Sequence, residues 1–395
     1  MADSTASRKR QRTDEPAVKP EPSSEEEELP AQATLLPLYY DDGNVIIEAR
    51  AHFSAAELDA LARDGCNANQ LLADALQSIP EEGLDGLVKY KIHRGILASH
   101  STVFADYFRG KETILGGCEE EYEGGIIFTL PDERSGLDAF LKAMYLPGDL
   151  QKRYAQSVGT NIVPLLSNVL SLCDKYNSPS IRSIVVGLLE RRYPSNLSHC
   201  NLDRDKFSQS ELVVYGAVLR LAMQHKIGSI MPLLLYRLGA ALRGLDTVNY
   251  QNNQAIYGRI VTQLTAQDLR ILFGGSLTLH TQSDRRLAKL ATLEESPVCM
   301  RPEPHRLMRL CTAALSSSIR PAYAMPNAPS FVYYARNALD LFDQAVIAIS
   351  NSNDICPECK KVFTQETKAA KLQLWKDIPR IFNVVDLVGE GWGSE

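Results

Sequence analysis

Residues Val88 to Gly110, VKYKIHRGILASHSTVFADYFRG, change hydrophobic period in mid-stretch, and few folds accommodate that change. Val88, Tyr90 and Ile92 alternate with Lys89 and Lys91, the period-two pattern of a strand with one buried face. After His93-Arg94-Gly95 the period becomes helical: Ile96, Leu97, Phe104, Tyr107 and Phe108 recur at three- and four-residue spacing. Ser99 and Ser101 are of the type that caps helix N-termini. The spacing predicts a strand turning sharply into two short helices, with a Phe near each end of the second. That is a packing unit and not a catalytic loop.

The pattern apolar-x-x-His-Arg-x-x-Leu-x-x-x-Ser-x-x-Phe-x-x-x-Phe reads here as Tyr90, His93, Arg94, Leu97, Ser101, Phe104 and Phe108. It resembles the signature of the BTB/POZ domain, in BTB proteins of the fungal type. Ile126 to Tyr145 looks like that family's third strand and the following helix, and Ile162 to Tyr193 like its terminal helix pair. The resemblance implies an α+β fold: a small three-stranded sheet flanked by helices, acting as an interaction module without catalysis. It also implies a structural role for His93, whose ring would hold the strand-to-helix corner. Two features depart from the family. Asn44 stands where many members carry an Asp that pairs with the Arg of the signature, here Arg94. The segment before the first strand, Leu35-Leu36-Pro37-Leu38, is too short for the helix that dimerising members pack across their interface. The domain reads as a short form, with weak or no homodimerisation.

Three regions follow. Residues 1–34 are rich in Ser, Pro, Glu and Lys and read as a disordered tail. Within it Arg8, Lys9, Arg10 and Arg12 form a basic cluster of the nuclear-import kind, and Lys19 lies in an apolar-Lys-x-Glu pattern of SUMO acceptors. Residues 35–195 read as the BTB/POZ domain. It carries an insertion over 50–87, where family members have a tight turn; Ser54 and Glu57 there have capping-box spacing. Within the domain, Ser135 and Ser178 are read as caps, with Pro179 at the first helical position. Residues 196–395 read as an all-α domain. Its helices are expected over 211–225, 229–242, 255–273, 284–293, 306–317, 331–349 and 361–376, with a proline-bearing loop over 320–330. Trp375, Ile378 and Phe382 are spaced to close its core.

Charge and cysteine usage limit the chemistry. The net charge is −6, which argues against direct nucleic-acid binding by the body of the protein. No apolar run reaches the length of a membrane span, and the N-terminus lacks the apolar centre of a signal peptide. Eight thinly spread cysteines fit a reducing compartment, nucleus or cytoplasm. Cys356-Pro357-Glu358-Cys359 is the one motif with chemical content. It is half of a tetrahedral thiolate site, and a structural zinc would need Cys299 and Cys311, with His305 as substitute ligand, for the other half. The alternative is four buried thiols and no cofactor. The same pair superficially resembles a glutaredoxin motif, but only 36 residues follow Cys359, too few for the rest of that fold.

The function expected is therefore a non-enzymatic adaptor or scaffold that binds proteins. One family role links substrates to a cullin-type ubiquitin ligase. The alternative is a nuclear transcriptional regulator acting through a partner. A thiol/disulfide enzyme using Cys356 and Cys359 is the competing class.

Overall fold

The computed structural model describes residues 38–53, 84–114, 121–122, 125–156, 162–200, 209–245, 258–300, 310–323, 338–389 and 392–393. The tail residues Arg8, Lys9, Arg10, Arg12 and Lys19, and also His305, lie outside them. Leu38–Glu395 forms one compact unit.

Strand β1 (Val45–Phe53) is central. It pairs antiparallel with β2 (Leu84–Ile92), Val45 opposite Ile92 and Phe53 opposite Leu84. The ladder thus runs into both ends of the expected insertion, where Arg50 pairs with Leu87; residues 54–83 lie outside the described set. Helices α1 (Arg94–His100) and α2 (Thr102–Ile114) follow β2. The two-residue strand β3 (Glu121–Tyr122) then pairs antiparallel with β4 (Gly125–Glu133), and β4 lies parallel to β1. The order is β2-β1-β4-β3, four strands where three were expected. The extra strand is Glu121–Tyr122, which pairs with Ile126 and Gly125 at the start of β4. Val45, Ile46 and Ile47 are fully buried, as befits a β-branched run with neighbours on both sides. The β1–β4 register slips at Ala49/Arg50, opposite Pro131, which has no N–H to offer the ladder.

Helices α3 (Arg134–Tyr145), α4 (Pro147–Gln156), α5 (Ile162–Lys175) and α6 (Pro179–Arg192) complete this half. Helix α3 packs on the sheet and on α5. It starts one residue before Ser135, so Ser135 is not its cap. Pro179 opens α6 as expected, but the Ser178 hydroxyl makes no capping bond.

The second half is helical: α7 (Gln209–Gln224), a 3₁₀ turn (Gly228–Ile230), α8 (Met231–Leu245), α9 (Ala266–Leu290), α10 (Leu310–Tyr323), α11 (Asp340–Asn351), α12 (Pro357–Lys376), α13 (Ile378–Ile381) and α14 (Val385–Val388). Two expectations fail here. The helices expected to end at 273 and to begin at 284 are one: α9 runs from Ala266 through Gly274 and Gly275 to Leu290, started by a full capping box of Thr265 and Asp268. Gly275 serves packing instead, because a Cβ there would meet the Phe382 ring at 2.1 Å. Helix α10 continues past Arg320 into the expected loop. Trp375, Ile378 and Phe382 are all within the core, and the Trp375 indole donates to the Ser195 carbonyl at 2.8 Å. That bond ties the last long helix to the segment joining the two halves.

Candidate functional site

The strand-to-helix corner is built around His93. Its backbone N–H donates to the Tyr145 hydroxyl (2.7 Å), and that hydroxyl lies 3.1 Å from Nδ1. Nε2 lies 3.1 Å from an Asp42 carboxylate oxygen. One proton arrangement serves every contact: Tyr145 accepts from the amide and donates to Nδ1, and Nε2–H donates to Asp42. The ring is also flanked by Tyr40, which stacks on Tyr145. His93 is thus fully engaged in holding the turn. The Arg94 amide donates to the Asn44 side-chain oxygen at 2.8 Å, while its guanidinium turns to the Phe108 carbonyl at 3.3 Å and lies over that ring. Asn44 therefore meets Arg94 after all, through the backbone.

Of the two candidate serines, Ser101 is the cap. Its Oγ accepts from the Phe104 amide (3.1 Å) and donates to the Tyr176 carbonyl (2.5 Å). Ser99 donates back into its own helix at Ile96. Phe104 stacks on Tyr176 with ring centroids 4.7 Å apart. Tyr90, Leu97, Phe104 and Phe108 are all buried, so the corner is a core and not a cleft.

The second cluster brings together the four candidate cysteines. Cys299 sits in the turn after α9, Cys311 in the first turn of α10, and Cys356 and Cys359 at the N-cap and third positions of α12. Their sulfurs all lie within 4.8 Å of one another. Cys299 Sγ is 3.7 Å from Cys356 Sγ and 3.9 Å from Cys311 Sγ. All four residues are buried, Cys356 being the most exposed at 8% and Cys359 fully enclosed. Backbone amides point at the sulfurs: Ser296 N–H to Cys359 (3.4 Å) and Cys356 N–H to Cys311 (3.5 Å). Burial pushes the Cys356 thiol up, but the amides of Cys359 and Met300 and the Cys359 and Cys299 thiols outweigh it and bring it to about 7. Burial raises the Cys311 and Cys359 thiols. Glu295 accepts from the Cys311 and Thr312 amides, so it caps α10 and fixes the approach of Cys311. The segment preceding the CxxC is the helix α11, not the strand a glutaredoxin-like motif would require.

No protein-family model, curated protein or solved structure matches this chain.

One constellation has no counterpart in the sequence reading. Ser167 Oγ lies 3.2 Å from His225 Nε2, and His225 Nδ1 lies 3.4 Å from Asp174. Arg182 binds the other Asp174 oxygen at 2.8 Å and also donates to the His225 carbonyl. The contact order is that of a nucleophilic triad. The surroundings are not: Ser167 lies inside α5, where backbone amides are spent on the helix's own carbonyls, leaving none to stabilise an oxyanion. The group instead fastens α5 and α6 to the end of α7. No sequence signal could have found it, since Ser167 and His225 are 58 residues apart.

Proposed function

We propose that the chain is a non-enzymatic protein-interaction adaptor of the BTB type, braced in its helical half by one structural zinc. The observation that carries the reading is that, among the described residues, the clustered polar and thiol side chains hold elements together. His93, Arg94 and Ser101 close the corner. Ser167, His225 and Asp174 join the two halves. The buried cysteines gather three separate segments. The order strand, strand, helix pair, short strand, strand, helices gives the α+β class that the resemblance implies, which supports the reading at that level.

Four sulfurs about 2.3 Å from a tetrahedral ion stand about 3.8 Å from each other. The 3.7 and 3.9 Å separations match that edge, and the widest pair would close by about 1 Å from 4.8 Å. Cys299, Cys311, Cys356 and Cys359 would all be ligands, with no position left for a substrate. Zinc so held supplies a crosslink between the turn after α9, α10 and the start of α12. The competing thiol/disulfide reading needs an accessible attacking sulfur, and the low exposure of Cys356 speaks against it.

An adaptor must hold a partner, and substrate delivery to a cullin-type ligase is one role the family resemblance implies. Affinity purification of the tagged full-length chain tests this, with partner stoichiometry measured by mass spectrometry. The proposal expects a reproducible partner near one to one, and recovery of the chain alone contradicts it. Nuclear action through a partner is the second reading, carried by the Arg8, Lys9, Arg10 and Arg12 cluster. Changing those four to Ala lowers the nuclear-to-cytoplasmic ratio on this reading; an unchanged ratio removes it.

A further inference from the structure

Helices α11 and α12 pack against each other, and their solvent edge carries an uneven distribution of charge. Lys371 is neutralised by Asp343 at 2.5 Å. Lys360 donates to the Ser350 carbonyl at 2.8 Å, which orients its ammonium without cancelling its charge. Lys361 and Lys368 have no carboxylate partner among the described residues. Lys360, Lys361 and Lys368, together with Ser350 and Thr364, line an open groove of about 580 Å³. Lys361, Thr364 and Lys368 fall on one face of α12 by their three- and four-residue spacing. Glu366 is about 140° round the helix from Lys361 and does not offset them, while Glu358, one turn before Lys361, offsets one of the three charges.

An apolar anchor lies along the same edge. Asp343 and Ser350 both touch α12 lysines, and Ile347, one helical turn from each, shares their face. Ile347 is 58% exposed, on a helix whose other face is buried. A basic track beside one exposed β-branched side chain complements a strand or helix that carries carboxylates around an apolar residue.

We propose that the groove between α11 and α12 binds an acidic peptide segment of a partner protein, its carboxylates on Lys360, Lys361 and Lys368 and an apolar side chain on Ile347. A nucleic acid fits less well. The groove offers no arginine fork and no aromatic ring on which a base could stack, and the net charge of −6 repels a long polyanion. A short acidic segment meets only the local field. The inference stands on the lysine geometry and is independent of both the BTB reading and the zinc.

The test uses the full-length protein and a fluorescein-labelled synthetic peptide of eight glutamates around a central leucine, followed by anisotropy. The expected result is saturable binding that weakens as salt rises. The Lys361→Glu, Lys368→Glu double variant should lose at least about tenfold in affinity and Ile347→Ser about fivefold, with unchanged circular dichroism. A peptide with glutamine in place of glutamate should not bind. Three results overturn the proposal: no saturation up to about 1 mM peptide, equal affinity of the charge-reversed variant, or tighter binding of a labelled single-stranded oligonucleotide of equal charge.

Discussion

Phe104→Ala strikes the corner where sequence and structure agree most closely. Phe104 is 3% exposed, its amide is held by Ser101, and its ring lies 15° from parallel with Tyr176. Removing the ring forfeits a transfer free energy of about 2–3 kcal/mol. It also removes a stacked aromatic contact worth about 0.5–1.5 kcal/mol. A residual cavity adds to this, because Phe108 and Phe140 are anchored in the same core and can collapse only in part. The sum falls at about 3–5 kcal/mol, the range found for buried Phe→Ala changes. Phe104→Leu keeps most of the volume and loses mainly the stacking, so it should cost about 1–2 kcal/mol. Equilibrium urea unfolding of both variants, followed by tryptophan fluorescence and circular dichroism together, measures the losses. A loss below about 1 kcal/mol for the alanine variant would show that Phe104 is not in the core. Equal losses for Leu and Ala would refute the division between cavity and stacking.

Gly228→Ala puts a Cβ 1.7 Å from the Leu387 carbonyl oxygen, a backbone atom, so α14 must be displaced. The expected cost is about 3 kcal/mol or more, with faster proteolysis of the C-terminal segment; wild-type resistance would contradict that packing. Burial holds the His225 pKa below its ordinary value, helped by Arg182 and opposed by Asp174. The unfolded chain therefore takes up this proton first, and stability falls as pH drops below about 6.5. His225→Gln should flatten that fall in melts between about pH 7 and pH 5, and an unchanged slope would place the proton uptake elsewhere. The fragment 35–195 should sediment as a monomer or a weakly self-associating species at micromolar concentration. A tight dimer would contradict the short-form reading.

What was legible in the sequence is what is local. The change from period two to helical spacing placed β2, α1 and α2, because Val88 to Phe108 carry their pattern within a few turns. Ser101 could be named as a cap, but its second bond, to Tyr176 75 residues on, could not. The CxxC identified half of the cysteine cluster. Cys299 and Cys311 could only be nominated, since they are widely spaced in sequence and Cys311 is positioned by Glu295, from outside that interval. The helix expected to end at Phe273 runs on through Gly275, because the reason for that glycine, the Phe382 ring, comes from a distant part of the chain. The polar group at Ser167, His225 and Asp174 was invisible for the same reason: three elements meet there only in the folded chain.

The most direct test of the zinc-braced account is metal analysis of full-length protein purified without chelator, combined with X-ray absorption at the zinc edge. The account predicts about one zinc per chain with four sulfur neighbours at about 2.3 Å, and loss of that signal when Cys299 and Cys359 are changed to Ser. Folded, metal-free protein with four titratable thiols, or with Cys356 and Cys359 joined in a disulfide, would contradict it.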